Sequence, residues 1–144
     1  MRAAATIEIS CPPEQVFDTL ADMRNETQWN SGVSVAELRS DEPVARGSRF
    51  RVVNNKTPYD VTLETYERPS LLVFAGAGTP DVTITYTLAP SATGTEVSSE
   101  LDFRPKGLYV ALFAVLAPVI RRNVRKEFAS LKALCEREAR GTAT

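Results

Sequence analysis

The chain has no histidine and two cysteines among its 144 residues, with 17 basic and 18 acidic side chains, so any chemistry must come from carboxylates, tyrosines and hydroxyls. A serine or cysteine nucleophile needs an imidazole to take its proton near neutral pH, and zinc sites draw on histidine or on more cysteines. The titratable candidates that remain are Glu37, Asp60, Glu64, Tyr59, Tyr66, Tyr86, Arg49 and Arg51. Strand parity sets Arg49, Arg51, Asp60 and Glu64 opposite the apolar positions, where they face solvent and form cross-strand pairs. No paired carboxylates converge inside on this reading. Tyr59, Tyr86 and Ser99 are left as inward hydroxyls, able to orient a ligand. No residue is assigned to catalysis, and no metal or cofactor is expected.

Other motifs are weaker. Gly76-Ala77-Gly78 follows an apolar strand as a dinucleotide fingerprint does, but position 81 is Asp81 and another strand follows, so it reads as a hairpin tip. Cys11 and Cys135 stand at opposite ends of the chain in no CxxC arrangement and read as buried thiols that the fold can bring together. Asn25-Glu26-Thr27 is a glycosylation acceptor by pattern alone. A start without a basic region and a long apolar stretch makes a cytoplasmic protein the expectation. The formal charge of -1 gives no global pull toward nucleic acid.

Periodicity places the elements that must position these groups. Ala3 to Ser10 alternates as a half-buried strand. Pro12-Pro13-Glu14 then opens a short helix through Val16, Phe17 and Leu20. Asp22 caps a second one ending near Trp29. Six alternating runs follow, near 33–39, 47–54, 59–67, 71–75, 82–89 and 95–104, joined by short turns as an antiparallel meander. From 108 to about Glu138 the spacing Phe113, Ala117, Ile120, Val124, Phe128, Leu131, Cys135 is helical. Pro118 predicts a kink or break there. The whole, residues 1–144, reads as one α+β domain.

Strand, helix pair, meander and terminal helix together are the layout of the helix-grip fold: a seven-stranded curved antiparallel sheet wrapped around a long C-terminal helix, with two short helices after strand 1. Ile7-Glu8-Ile9-Ser10, Pro13-Glu14-Gln15-Val16-Phe17, Leu20-Ala21-Asp22, Asn25 and Trp29 resemble the opening of START-like (SRPBCC, birch-pollen-allergen-like) proteins. Tyr66-Glu67-Arg68-Pro69, Gly94-Thr95-Glu96-Val97 and Leu131-Lys132 to Glu136 extend the likeness, which points to the polyketide cyclase/dehydrase group. The resemblance implies a cavity between sheet and helix that holds an apolar small molecule or lipid. Its rival implication is a cyclase or dehydratase acting in the same cavity.

Projected onto such a grip, the expected ligand-binding positions are Trp29, Phe50, Val52, Tyr59, Val61, Leu63, Ile84, Tyr86, Ser99, Leu101, Phe113, Ile120 and Val124. The run from Leu108 to Ile120 is apolar on every side and, at thirteen residues, shorter than the roughly 18–20 a spanning helix needs. Residues 121–144 carry seven basic and three acidic side chains, against ten and fifteen in residues 1–120. A homodimer interface, a membrane-surface contact or a lid over the pocket are the readings of 108–126 beyond plain packing.

Overall fold

The computed structural model describes residues 1–142. Its elements run β1 (Arg2–Ile9), α1 (Pro13–Ala21), a 3₁₀ helix (Met23–Gln28), β2 (Val33–Leu38), β3 (Arg49–Asn54), β4 (Thr57–Glu67), β5 (Leu71–Ala77), β6 (Asp81–Pro90), β7 (Thr95–Arg104) and α2 (Tyr109–Thr142). The strands form one antiparallel sheet in the order β1-β7-β6-β5-β4-β3-β2. From β2 onward each strand pairs with the next in sequence, which the short turns dictate. β1 instead pairs with the last strand, from Arg2 opposite Asp102 to Ile9 opposite Thr95. Because β1 and β2 are the two edges, the chain between them has to cross the sheet. It does so as α1, packed on β6, and the 3₁₀ helix, packed on β2. This is the expected α+β helix-grip.

Local chemistry explains the joints. Pro13 begins α1 where its missing N–H costs nothing, and Glu14 lies in the first turn. The Asp22 carboxylate accepts from the Arg24 backbone N–H at 3.0 Å, capping the 3₁₀ helix. Asn55 and Lys56 take positive φ of 48° and 68°, the geometry of a two-residue hairpin turn between β3 and β4. Thr95 Oγ1 donates to the Cys11 carbonyl at 2.7 Å, tying β7 to the start of α1.

Two expectations change. Gly76 and Ala77 are not a hairpin tip but the last residues of β5, with Gly76 opposite both Val61 and Val82. A side chain at Gly76 would stand 2.9 Å from Val82 Cγ1, and one at Gly78 would stand 2.6 Å from the Tyr59 ring, so close packing explains both glycines. Of the kink or break expected at Pro118, the break is absent, since α2 runs unbroken through it. Pro118 removes the donor that would serve the Ala114 carbonyl, but Ala114 is exposed and that carbonyl can turn to solvent.

The halves of α2 are held differently. In the second, Leu131 and Cys135 are fully buried in a core with Phe17, Leu63 and Phe74. Lys132 Nζ donates to the Glu8 carbonyl at 2.9 Å, and the Ser10 N–H donates to Glu136 Oε2 at 3.0 Å. In the first half Phe113 meets Phe103, ring centroids 5.6 Å apart, and Ala117 is buried. Leu108 is 92% exposed and Val115 75%, with Tyr109, Val110, Leu112, Leu116 and Val119 also exposed. No helix among the described residues is long and apolar enough to cross a membrane.

Candidate ligand cavity

Two adjoining chambers open between the sheet and α2. The outer, about 280 Å³, is walled by the β3–β4 hairpin with Tyr59, by the β5–β6 loop with Pro80, by Leu101 and Phe103 of β7, and by Phe113, Ile120, Val124 and Glu127 of α2. The inner, about 70 Å³, is formed by Trp29 and Asn30, Ile84 and Tyr86 of β6, Ser99 and Leu101 of β7, and Val124, Glu127 and Phe128 of α2. Asn54, Leu101, Val124 and Glu127 border both. Both linings are apolar over most of their area, with Asn55, Thr57, Thr79 and Asn123 as polar members of the outer and Glu26, Asn30 and Ser99 of the inner.

Strand alternation turns Tyr86 and Ser99, paired across β6 and β7, to the same face. The Tyr86 ring is buried between Phe74 and Phe128, at centroid distances of 6.3 and 6.4 Å. Burial, then the Glu26 and Glu127 carboxyls, pushes its phenol well above the usual tyrosine range. Tyr59 in the outer chamber is raised as well, by partial burial and then by Asp81. Ser99 Oγ, Trp29 Nε1 and Asn54 Oδ1 are buried without a hydrogen-bond partner among the described residues. All three belong to side chains of the inner chamber.

Of the residues expected from sequence, the inner chamber gathers Trp29, Ile84, Tyr86, Ser99, Leu101 and Val124, and the outer Tyr59, Leu101, Phe113, Ile120 and Val124. Phe50, Val52, Val61 and Leu63 are buried in the core and line neither chamber. Arg51 and Asp60 pair across β3 and β4 at 3.3 Å on the solvent side, as parity requires.

The expectation that no carboxylates turn inward is overturned by Glu26 and Glu127. Glu26 is 7% exposed. In a 3₁₀ helix residues i and i+3 eclipse, so Met23, Glu26 and Trp29 fall on one side, and all three are buried. That triplet spacing was the available signal. Glu127 lies three residues after Val124 and one before Phe128, at the edge of the buried stripe of α2. Burial, then the nearby Glu127 charge, pushes the Glu26 carboxyl up to about 8, while Asn30 Nδ2, donating to Oε2 at 3.5 Å, opposes this. Burial raises Glu127 to about 7, offset in part by Lys126. Near neutrality the chamber thus holds one protonated carboxyl and one close to its midpoint, beside an indole N–H and a hydroxyl free to bond a ligand.

Comparison with known proteins agrees with this architecture. No curated protein matches the chain by sequence. A crystal structure from Thermus thermophilus superposes with a TM-score of 0.82 at 18% identity, covering 96% of this chain and 99% of that one. A protein of unknown function from Staphylococcus aureus gives 0.77 at 12% identity, with coverage of 97% and 96%. DynU16, a protein in the dynemicin biosynthetic locus, gives 0.69 at 16% identity over 94% of this chain and 47% of its own. These likenesses show the fold. The family described as polyketide cyclase/dehydrase and lipid transport matches residues 1–136, and the chain belongs to that family.

Proposed function

We propose that the protein, acting as one unit over residues 1–144, binds a hydrophobic small molecule or lipid in the two chambers between sheet and α2. One observation carries this reading: the unpartnered Trp29 Nε1, Ser99 Oγ and Asn54 Oδ1 all belong to side chains of the same inner chamber. A buried polar group without a partner costs about 1–3 kcal/mol, and a ligand whose polar end bonds these atoms recovers it. The outer chamber, where Leu101, Phe103, Phe113, Leu116 and Ile120 form an apolar wall, takes the rest of such a molecule. The family description, with its lipid transport and polyketide chemistry, supports the same ligand class. A cytoplasmic setting fits the buried free thiols of Cys11 and Cys135.

The test is native mass spectrometry of the protein purified from its own host, followed by organic extraction. A retained apolar molecule, displaced on adding an excess of a fatty alcohol such as decanol, supports the reading. Protein that retains nothing and binds no apolar probe refutes it.

A second reading, cyclase or dehydratase chemistry in the same cavity, is favoured by Glu26 and Glu127, which are displaced toward neutrality as a proton donor and acceptor should be. Turnover that Glu127→Gln abolishes without loss of binding would establish it. The exposed Leu108, Val110, Leu112, Val115 and Val119 precede Arg121, Arg122, Arg125 and Lys126, a combination suited to an anionic lipid surface at the cavity mouth. Co-sedimentation with vesicles containing phosphatidylserine tests this. A concentration-dependent dimer without vesicle binding would assign the patch to a second copy instead.

A further inference from the structure

The charged part of the cavity has one sign. Glu26 and Glu127 border the inner chamber, and neither chamber is lined by a lysine or arginine among the described residues. The remaining polar atoms of the inner chamber are neutral. Among the described residues no group donates to Asn54 Oδ1 or to Ser99 Oγ. The donors are neutral: Asn30 Nδ2, already directed at Glu26, Trp29 Nε1, the Tyr86 phenol, the Asn54 amide and the Ser99 hydroxyl, so Glu26 and Glu127 alone set the sign of the chamber.

Such a chamber discriminates by the head group of its ligand. A carboxylate would enter a space whose only lining groups ionisable near neutrality, among the described residues, are Glu26 and Glu127, where it gains no opposite charge and is repelled by whichever of the two is ionised. A neutral alcohol would satisfy one or two acceptors. A protonated amine brings a positive charge and several N–H donors at once, and aromatic neighbours such as Trp29, Tyr86 and Phe128 add attraction for a cation. A metal ion is poorly served, because no group of three or more His, Cys, Asp or Glu side chains gathers among the described residues.

We propose that the cavity selects an amphiphilic amine, with the ammonium group between Glu26 and Glu127 beside Ser99 and Asn54, and the apolar body among Phe103, Phe113 and Ile120. This rests on the cavity-binding reading above and adds the chemical class of the ligand. The ammonium favours the ionised form of the carboxyls it faces, and the charges that matter are Glu26, Glu127, the Lys126 ammonium beside Glu127, and the ligand's own. The Tyr86 phenol, held far above neutrality, stays uncharged throughout.

The test is calorimetric titration near neutral pH with three probes of one chain length: decylamine, decanol and decanoate. Decylamine is expected to bind at least about tenfold tighter than decanol, and decanoate weakest. In Glu26→Gln and Glu127→Gln the amine advantage should shrink while decanol affinity holds, which also shows that the variant cavity is intact. Equal affinity for decylamine and decanol, or an amine preference that survives in the Glu26→Gln/Glu127→Gln double variant, overturns the head-group assignment and leaves cavity binding standing. If none of the three binds, both proposals fall.

Discussion

Glu26 and Glu127 reach the same small chamber from elements distant in the chain, the 3₁₀ helix after α1 and the middle of α2. The charge on Glu127 is the second cause, after burial, of the raised Glu26 carboxyl. The pair couples the helix that crosses the sheet to the helix that the sheet grips.

This coupling makes stability depend on pH in a definite direction. Glu26 rises from 4.5 to about 8 on folding, so between those values the folded chain holds a proton that the unfolded chain has lost. Stability from this group is full below about pH 4.5, falls as pH rises, and is exhausted above about pH 8, at up to roughly 1.4 kcal/mol per unit. Glu127 acts in the same direction between 4.5 and about 7. Glu26→Gln should flatten the fall of melting temperature from mildly acid to mildly alkaline pH and exceed the wild type at the alkaline end. Parallel profiles for the two proteins would show that Glu26 is not buried as described.

Ser99 separates folding from binding. Its hydroxyl is buried without a partner among the described residues, so Ser99→Ala removes a polar atom that none of them bonds. Denaturant unfolding should find the variant within about 1 kcal/mol of wild type, or more stable. Affinity for whatever ligand the cavity retains should fall severalfold, and a loss of stability without a change in affinity would place Ser99 in the core alone.

The glycines around Tyr59 carry a packing prediction. A methyl group at Gly78 would meet the Tyr59 ring at 2.6 Å and the Pro58 carbonyl at 3.0 Å. Gly78→Ala should cost about 1–3 kcal/mol. In a Tyr59→Ala background the same change should cost distinctly less, because the ring no longer stands in the way. Equal costs in the two backgrounds of this double-mutant cycle would assign the strain to the backbone.

The halves of α2 should respond oppositely to truncation. Leu131 is fully buried, so Leu131→Ala should lose about 2–5 kcal/mol in chemical denaturation. Val115 is largely exposed, so Val115→Ala should stay within about 0.5 kcal/mol. A large loss from Val115→Ala in the isolated monomer would mean that the first half of α2 is packed more tightly than its exposure indicates.

Much of the fold is legible in the sequence because alternation and helical spacing are local properties. The runs around Val82–Leu88 and Val97–Phe103 announce a two-faced sheet, and the turn at Asn55-Lys56 joins its strands without ambiguity. Tyr86 and Ser99 follow from parity and do line the inner chamber. Parity cannot tell lining from filling, which is why Phe50, Val52, Val61 and Leu63 lie in the packed core instead. It is also blind to helices of a different period. Glu26 sits within Asn25-Glu26-Thr27, a glycosylation pattern that carries no signal of burial, while the 3₁₀ turn makes it eclipse the buried Met23 and Trp29.

What the sequence alone determined is therefore the order of elements, the faces of the sheet and the absence of imidazole chemistry, since each is written in residue type and near-neighbour spacing. What the tertiary structure decided is the character of the cavity. Crossing the sheet and laying α2 over it brings Glu26 to Glu127, and burial then displaces both carboxyls toward neutrality. Neither the meeting nor the desolvation is a property of any local segment, because both arise when elements about a hundred residues apart exclude water from the same small space.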